Sequence, residues 1–182
     1  MVGYVGVMGA QEGIDLLIDA VDHIVREKKR EDIQFVLVGG GPALEELKAL
    51  TAKKGLADFI TFTGRAPDQD LFEVLSTMDI GVNPDRVNAM NDKSTMNKIM
   101  EYMSLEKAMV QFDVTEGKFS ALEASLYAKP NDSVDMADKI IELVDDPDRR
   151  AEMGKFGRER VVKQLNWQHQ IDPLLAAYKQ VF

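Results

Sequence analysis

The sequence predicts an α/β fold in which a parallel sheet of about six strands carries helices on both faces. Short runs of β-branched and aromatic residues alternate with longer segments whose apolar residues recur at helical spacing. Each strand-like run ends in a turn or loop, and no long linker interrupts the series. Such alternation implies right-handed crossovers between parallel strands. Residues 1–182 are therefore predicted to form one doubly wound, Rossmann-like domain.

These two patterns, short apolar runs and apolar residues at helical spacing, place the individual elements along the chain. Strands are predicted at residues 2–7, 33–38, 60–63, 80–83, 108–112 and 124–127. Helices are predicted after Gly13, from Pro42 to a cap at Gly55, from Asp68, within residues 91–103, from a cap at Ser133, from Asp146 to about Leu165, and from about Trp167 to Val181. Residues 113–120 are polar and are predicted to form a loop.

Composition excludes several classes of function. A net charge of −9 and a pI of about 4.8 argue against a nucleic-acid partner and an anionic membrane surface. The chain has no cysteine, which excludes disulfides and thiolate metal sites. Its two histidines, His23 and His169, lie far apart, and His23 is predicted to face solvent from the first helix. No apolar run approaches the roughly 20 residues of a membrane span, so a cytoplasmic location is expected.

The carboxyl ends of the predicted strands define the candidate ligand site, because ligands of open parallel sheets bind there. The loops at this edge are residues 8–13, 39–42, 64–67 and 84–98. The last loop runs into residues 91–103, where hydroxyls, amides and lysines are concentrated just before a helix. A helix start presents backbone N–H groups and a positive dipole end, which suit a phosphate. An ordinary capped helix start explains the same residues equally well.

Other motifs have simpler explanations. The run Gly39-Gly40-Gly41 ends a strand, but Leu44 stands where a dinucleotide-binding fingerprint would need glycine, so a tight turn is favoured. Two Asp-x-Asp triplets, at residues 68–70 and 146–148, begin helices, where negative charge is favoured by the dipole. Neither triplet is interpreted as a metal site.

Several segments, taken in order, carry a resemblance to a known family. They are residues 4–6 with 12–17, residues 36–42, residues 60–65, residues 97–104, and residues 145–147 with the segment around Trp167. Together they resemble the C-terminal, nucleotide-sugar-binding domain of the two-domain GT-B glycosyltransferases, particularly glycosyltransferase family 4. The resemblance covers essentially the whole chain and implies one half of a GT-B fold. The chain is therefore expected to be a fragment that lacks an N-terminal acceptor-binding domain.

The resemblance implies a role for each part of the carboxyl edge. The carboxylate of Glu101 would accept hydrogen bonds from the ribose hydroxyls of the donor, which suits an acceptor-only group. A solvated helix residue with a local partner is the plainer alternative. The Gly64-Arg65 turn would contact the base, and Lys98 would lie near the diphosphate. Gly9, Ser94, Thr95 and Asn97 complete the implied nucleotide-binding set, and Asn91, Asp92 and Lys93 are expected near the donor sugar.

The chain departs from the family at positions that usually carry charge. Lys93 stands where the first of two glutamates is common, and Val7 and Glu12 stand where a basic pair usually neutralises the diphosphate. Losing these cations removes electrostatic stabilisation expected for a departing nucleotide diphosphate. Candidate replacements are Lys93, Lys98, Arg86 and Arg65.

These features favour the donor-binding domain of a retaining, metal-independent glycosyltransferase, of the kind found in polysaccharide biosynthesis. The substrate would be a UDP-, GDP- or ADP-linked sugar, no cofactor is expected, and no catalytic residue is assigned. A full-length enzyme could lie on a membrane surface through its other domain. The departures at Val7, Glu12 and Lys93 leave open a non-catalytic ligand- or partner-binding domain of the same fold. One half of a sugar-nucleotide epimerase is a further alternative.

Overall fold

Parallel strands form a single sheet in the computed structural model, which describes residues 1–181. The strands are β1 (Val2–Val5), β2 (Phe35–Val38), β3 (Ile60–Gly64), β4 (Ile80–Asn83), β5 (Ala108–Phe112) and β6 (Ser125–Ala128). They lie in the order β3-β2-β1-β4-β5-β6, and every adjacent pair is parallel. The predicted α/β fold class is confirmed.

Helices connect the strands and continue after the last of them. They are α1 (Ile14–Arg26), α2 (Leu44–Lys53), α3 (Asp68–Thr77), α4 (Asn97–Ser104), α5 (Thr115–Ala121), α6 (Ser133–Val144), α7 (Pro147–Arg160) and α8 (Trp167–Val181). Short 3-10 turns lie at Ala10–Glu12, Asn91–Lys93 and Leu122–Ala124, and a π-helical turn at Val161–Leu165 follows α7. Within residues 1–181, no helix is long and apolar enough to cross a membrane.

The sheet is buried on both faces, as its uninterrupted apolar strands require. On one face the strands pack against α1, α2 and α6, with Ile18 and Ile140 fully buried. On the other face they pack against α3, α4 and α5, with Met78 and Tyr102 buried between them. Two cores on opposite faces enclose the sheet and place the loops at its carboxyl edge.

The order in which successive strands are added to the sheet changes direction at β1. From β1 it proceeds outward to β2 and β3, then returns to place β4 on the other side of β1. The helices that follow β1 and β4, α1 and α4, therefore pack on opposite faces of the sheet, and such a sheet binds its ligands in the crevice at the carboxyl edge between them. This crevice is the topological switch point of the sheet.

Several predicted boundaries were wrong for local reasons. The first strand ends at Val5 rather than at residue 7, because Gly6 adopts a φ of 154° and turns the chain away from the sheet. Asp132, not Ser133, caps α6, since its side chain accepts hydrogen bonds from two backbone amides. The long helix predicted to reach Leu165 is α-helical only to Arg160 and then becomes a π-helical turn.

Residues 113–120 were predicted to form a loop, but α5 occupies most of them. This helix is short and has no clear apolar periodicity in sequence. Its first amide, on Thr115, donates a hydrogen bond of 2.8 Å to the side chain of Asp92, which lies 23 residues earlier. The helix is thus capped by a distant part of the fold, and sequence periodicity could not reveal that.

The prediction that His23 faces solvent was also wrong. The residue is half-buried, and its Nε2 atom is enclosed without a hydrogen-bond partner among residues 1–181. The helix that carries it, α1, contacts both α2 and α6. The buried sector of α1 is therefore wider than the single apolar stripe read from the sequence.

Candidate functional site

Glycines bring the loops of the carboxyl edge into close contact. A Cβ atom added to Gly39 would lie 1.8 Å from the carbonyl oxygen of Gly6, and one added to Gly41 would lie 2.5 Å from that of Met8. Gly13 has a φ of 62°, and a Cβ there would lie 2.1 Å from the carbonyl oxygen of Pro84. Glycine is the only residue that fits such approaches. The triple glycine after β2 is therefore a tight connection, as the sequence indicated.

The loop after β4 is fastened to the loop after β1. The backbone amide of Arg86 donates to the carbonyl of Gln11 at 3.0 Å, and its Nε donates to the carbonyl of Ala10 at 3.1 Å. The side-chain amide of Asn91 donates to the carbonyls of Gln11 and Arg86 at 3.1 and 2.9 Å. These bonds close the switch-point crevice on one side and make the two loops a single surface.

Lys98 places its ammonium group at the floor of the switch point. Its Nζ lies 2.9 Å from Oε2 of Glu12, in the loop after β1, and 3.1 and 2.9 Å from the two carboxylate oxygens of Asp85, in the loop after β4. The same atom lies 5.4 Å from the centroid of the Tyr4 ring, within cation–π range. Only 9% of the Lys98 side chain and 2% of that of Asp85 are exposed, against 16% for Glu12.

Burial and charge set the protonation of this group, which we call the Lys98 cluster: Lys98, Asp85, Glu12 and Tyr4. Burial raises the pKa of Asp85 to about 7, the positive charge of Lys98 opposes the rise, and the neighbouring Glu12 reinforces it. Burial also opposes ionisation of Glu12, but hydrogen bonding to Asp85 and the charge of Lys98 outweigh it, so the pKa of Glu12 is lowered. Burial and the nearby carboxylates raise the pKa of Tyr4, whose hydroxyl donates to the carbonyl of Val7 at 2.8 Å.

The segment before α4 is held in an extended conformation by its own side chains. The hydroxyl of Ser94 donates to the carbonyl of Met90 at 2.8 Å, and that of Thr95 donates to the carboxylate of Glu116 at 2.9 Å. The N-cap residue of α4 is Met96, whose side chain makes no capping hydrogen bond. The first turn of α4 therefore lacks a side-chain cap from its own N-cap position, the condition in which a helix start can receive an anion.

The two faces of α4 differ in exposure. Lys98, Ile99, Tyr102 and Met103 are buried and look into the sheet. Asn97 and Glu101, one turn apart, are exposed on the outer face. Residues four apart on a helix lie on the same side and can contact one ligand. A nucleotide lying along this face could thus meet both side chains.

The remaining predicted site residues are distributed along the carboxyl edge. Gly64 has a φ of 70°, its carbonyl accepts a hydrogen bond of 2.9 Å from the amide of Gly39, and Arg65 beside it is exposed. Asn91 is almost fully buried and joins two loops, whereas Lys93 is exposed. Asp92 caps α5, and the resulting hydrogen bonds to Thr115 lower its pKa.

A cavity of about 490 Å³ adjoins the switch point on the face covered by α1 and α2. Gly9, the predicted glycine of the first loop, lines it together with Asp15, Leu50 and Arg86. The Arg86 guanidinium forms an ion pair with Asp15 at the rim. Within residues 1–181, no group of three or more His, Cys, Asp or Glu side chains is arranged to hold a metal ion.

Sequence reasoning missed two members of the Lys98 cluster. Asp85 directly follows Pro84 after β4, so an acidic residue at a strand end was visible in the sequence. Tyr4 was interpreted as a core residue of β1, and nothing in its neighbours suggested that its ring would face a lysine 94 positions later. In the sequence, Glu12 was identified only as a residue that replaces a basic residue of the family, and its contact with Lys98 was not predicted.

The sequence of the chain matches a family model described as "Glycosyl transferases group 1" over residues 1–146. Alpha-D-kanosaminyltransferase of Streptomyces kanamyceticus is 27% identical over 181 residues, which are 98% of this chain and 45% of that protein. GDP-mannose-dependent alpha-(1-6)-phosphatidylinositol monomannoside mannosyltransferase of Mycobacterium tuberculosis is 32% identical over 165 residues, which are 86% of this chain and 41% of that protein. The chain spans less than half the length of these relatives.

Solved structures share the same fold. A mutant of TarM from S. aureus, determined with UDP and other ligands, superposes with a TM-score of 0.85 at 22% identity, covering 96% of this chain and 34% of TarM. Alr3699/HepE of Anabaena, determined with UDP, superposes with a TM-score of 0.81 at 17% identity, covering 97% of this chain and 48% of that protein.

Proposed function

This chain belongs to the group 1 glycosyl transferases, and on that premise we propose that it is the donor-binding domain of an enzyme that transfers a sugar from a nucleotide diphosphate sugar to an acceptor hydroxyl. The transfer would proceed with retention and without a metal ion. The observation that carries the proposal is the buried ammonium of Lys98 between the loops after β1 and β4, at the start of α4. Cation, helix start and switch point coincide there.

The arrangement suits a nucleotide diphosphate for electrostatic reasons. The diphosphate would lie at the start of α4, where backbone N–H groups and the helix dipole favour negative charge. Fixed dipoles aimed at a leaving diphosphate stabilise charge as it develops and need no reorganisation during the reaction. The ribose would lie along the exposed face of α4 against Glu101 and Asn97, and the base would lie toward the Gly64-Arg65 turn.

A second domain is part of the proposal. The two relatives named above are more than twice as long as the matched segment. An acceptor-binding domain would close over the carboxyl edge, exclude water and align the acceptor hydroxyl with the sugar. The 182-residue chain alone is therefore expected to bind a donor weakly and to transfer nothing.

Calorimetric titration of the purified chain with UDP-glucose, GDP-mannose and ADP-glucose tests the proposal. Binding of one of them, with sugar transfer recovered only in a two-domain protein, is the expected result. Turnover by the 182-residue chain alone would contradict the proposal that transfer needs a second domain. No heat with any donor, while circular dichroism shows an intact fold, would contradict donor binding.

A non-catalytic domain of the same fold is the second candidate, and one observation favours it. Two carboxylates already neutralise Lys98, so the site carries no surplus positive charge while both are ionised. Val7 is 58% exposed at the same edge and supplies an apolar surface where charge would assist a diphosphate. Absence of donor binding by the folded chain would favour this candidate.

A further inference from the structure

The charge of the Lys98 cluster conflicts with the ligand proposed for it. One ammonium faces two carboxylates, so the cluster has a net charge of −1 when Glu12 and Asp85 are both ionised. The three groups are mostly shielded from water, and charges interact more strongly there than at an exposed surface. A diphosphate that approached this edge would meet a negative cluster. Removal of one negative charge would make the cluster neutral and leave the ammonium available.

Asp85 is the member of the cluster best placed to give up its charge. It is more deeply buried than Glu12, and both of its oxygens contact the same ammonium. Glu12 is nearer to solvent, and the Tyr4 hydroxyl approaches its carboxylate at 3.3 Å. Burial raises the pKa of Asp85 to about 7, so a neutral Asp85 is readily populated near neutral pH.

The surroundings of Asp85 offer few other charges. Glu12 faces it from the loop after β1, Tyr4 from β1, and Lys98 and Tyr102 from α4. Its neighbour in sequence, Arg86, bonds instead to Asp15 and the carbonyl of Ala10. Both tyrosines have a raised pKa because they are buried, so they stay neutral at physiological pH. An incoming anion would therefore act chiefly on the Asp85–Glu12 pair.

We propose that Asp85 and Glu12 are positioning residues that hold the Lys98 ammonium at the switch point, and that Asp85 takes up one proton from solvent when a nucleotide diphosphate sugar binds. The proton enters on a carboxylate oxygen of Asp85, and the resulting acid donates its hydrogen bond to Glu12. Lys98 then exchanges its contact with Asp85 for one with a phosphate oxygen. This inference rests on the proposed function and extends it to residues that the family resemblance did not assign.

Calorimetry in two buffers of different ionisation enthalpy measures the proton directly. The titrant is the sugar nucleotide that binds among UDP-glucose, GDP-mannose and ADP-glucose, because their diphosphates do not titrate near neutral pH. We expect close to one proton taken up per ligand at about pH 8, and an affinity that falls by about tenfold or more between about pH 6.5 and 8.5. The wild-type chain alone suffices for this measurement.

Two variants assign the proton to Asp85. Asp85→Asn is expected to abolish the uptake and flatten the pH dependence. Asp113→Asn, which removes a partly exposed carboxylate paired with Lys118 after β5, is expected to keep both as in the wild type. If Asp85→Asn does not fold, Glu12→Gln decides: loss of its negative charge should move the uptake to lower pH.

The outcomes separate the two proposals. Binding without proton uptake by the wild type, or uptake that persists in Asp85→Asn, would overturn this inference and leave the donor-binding function intact. An unshifted uptake in Glu12→Gln would also overturn it. No binding of any of the three sugar nucleotides across the pH range would defeat the proposed function and this inference together.

Discussion

The Nζ atom of Lys98 lies 2.9 Å from Oδ2 of Asp85, and both side chains are nearly enclosed by protein. The lysine comes from the first turn of α4 and the aspartate from the loop after β4, so their contact fixes that loop against the helix. Glu12 adds a third point of attachment from the loop after β1. The contact that joins the loop to the helix also pairs the Lys98 ammonium with a carboxylate.

Replacing Lys98 by methionine should destabilise the fold substantially. The change leaves Asp85 buried beside a second carboxylate with no cation, and removal of one partner from a buried ion pair typically costs about 3–5 kcal/mol. Urea unfolding at about pH 8, where both carboxylates are ionised in the wild type, measures the loss. Lys139→Met is the matched control, because Lys139 pairs with Glu142 at a partly exposed position on α6 and should cost less than about 1 kcal/mol. Equal losses of unfolding free energy in the two variants would contradict the prediction that the Lys98 cluster stabilises the fold more than an exposed ion pair does.

Stability should decrease as the pH rises from about 4 to about 7. Burial raises the pKa of Asp85 to about 7, whereas an unfolded aspartate titrates near about 3.9. The contribution of Asp85 is therefore fully present below about pH 4 and is lost as the pH rises through the folded-state value. The pKa of Glu12 is lowered, so its contribution is lost only on acidification, outside this window.

Urea midpoints at about pH 5 and about pH 8 would measure this effect. Asp85→Asn should narrow the difference between the two midpoints, and Asp113→Asn should not. If Asp85→Asn leaves the difference between the two midpoints unchanged, the pH dependence of stability arises from other groups.

Glu101→Ala should weaken nucleotide-sugar binding without loss of stability. The carboxylate is exposed on α4, so the unfolding free energy should change by less than about 0.5 kcal/mol. Loss of hydrogen bonds from ribose hydroxyls to a charged acceptor should cost about 1.5–3 kcal/mol of binding free energy. Titration calorimetry measures the affinity. Glu152→Ala, an exposed glutamate on α7, is the matched control, and equal affinities in both variants would remove Glu101 from the site.

Alanine at Gly39 should be far more damaging than alanine at Gly64. A Cβ on Gly39 would lie 1.8 Å from the Gly6 carbonyl oxygen, so the loops after β1 and β2 would have to separate. Gly64 also has a positive φ of 70°, but no atom lies within 4 Å of a Cβ placed there. We expect about 1–2 kcal/mol for Gly64→Ala from backbone strain alone, and a larger loss for Gly39→Ala. Similar thermal unfolding curves for the two variants would contradict the close packing of these loops.

The sequence by itself determined the fold class and the edge of the sheet at which a site could lie. The run at residues 35–38 is short, β-branched and aromatic and is followed by glycines, which specifies a strand. The stripe from Ile14 to Ile24 specifies a helix by its helical period. Their alternation determined a parallel sheet, and parallel connection determined that the loops after the strands share one edge.

Tertiary structure decided what those loops do with their charges. Asp92 caps α5, a helix that the sequence of residues 115–121 does not predict. Lys98 looks like a free cation in the sequence, but the fold pairs it with Glu12 and Asp85. Pairing and burial depend on which distant side chains meet, and no local period encodes that meeting. The pKa of Asp85 follows from burial among these partners. The charge of the site therefore depends on the tertiary structure and cannot be read from the local sequence.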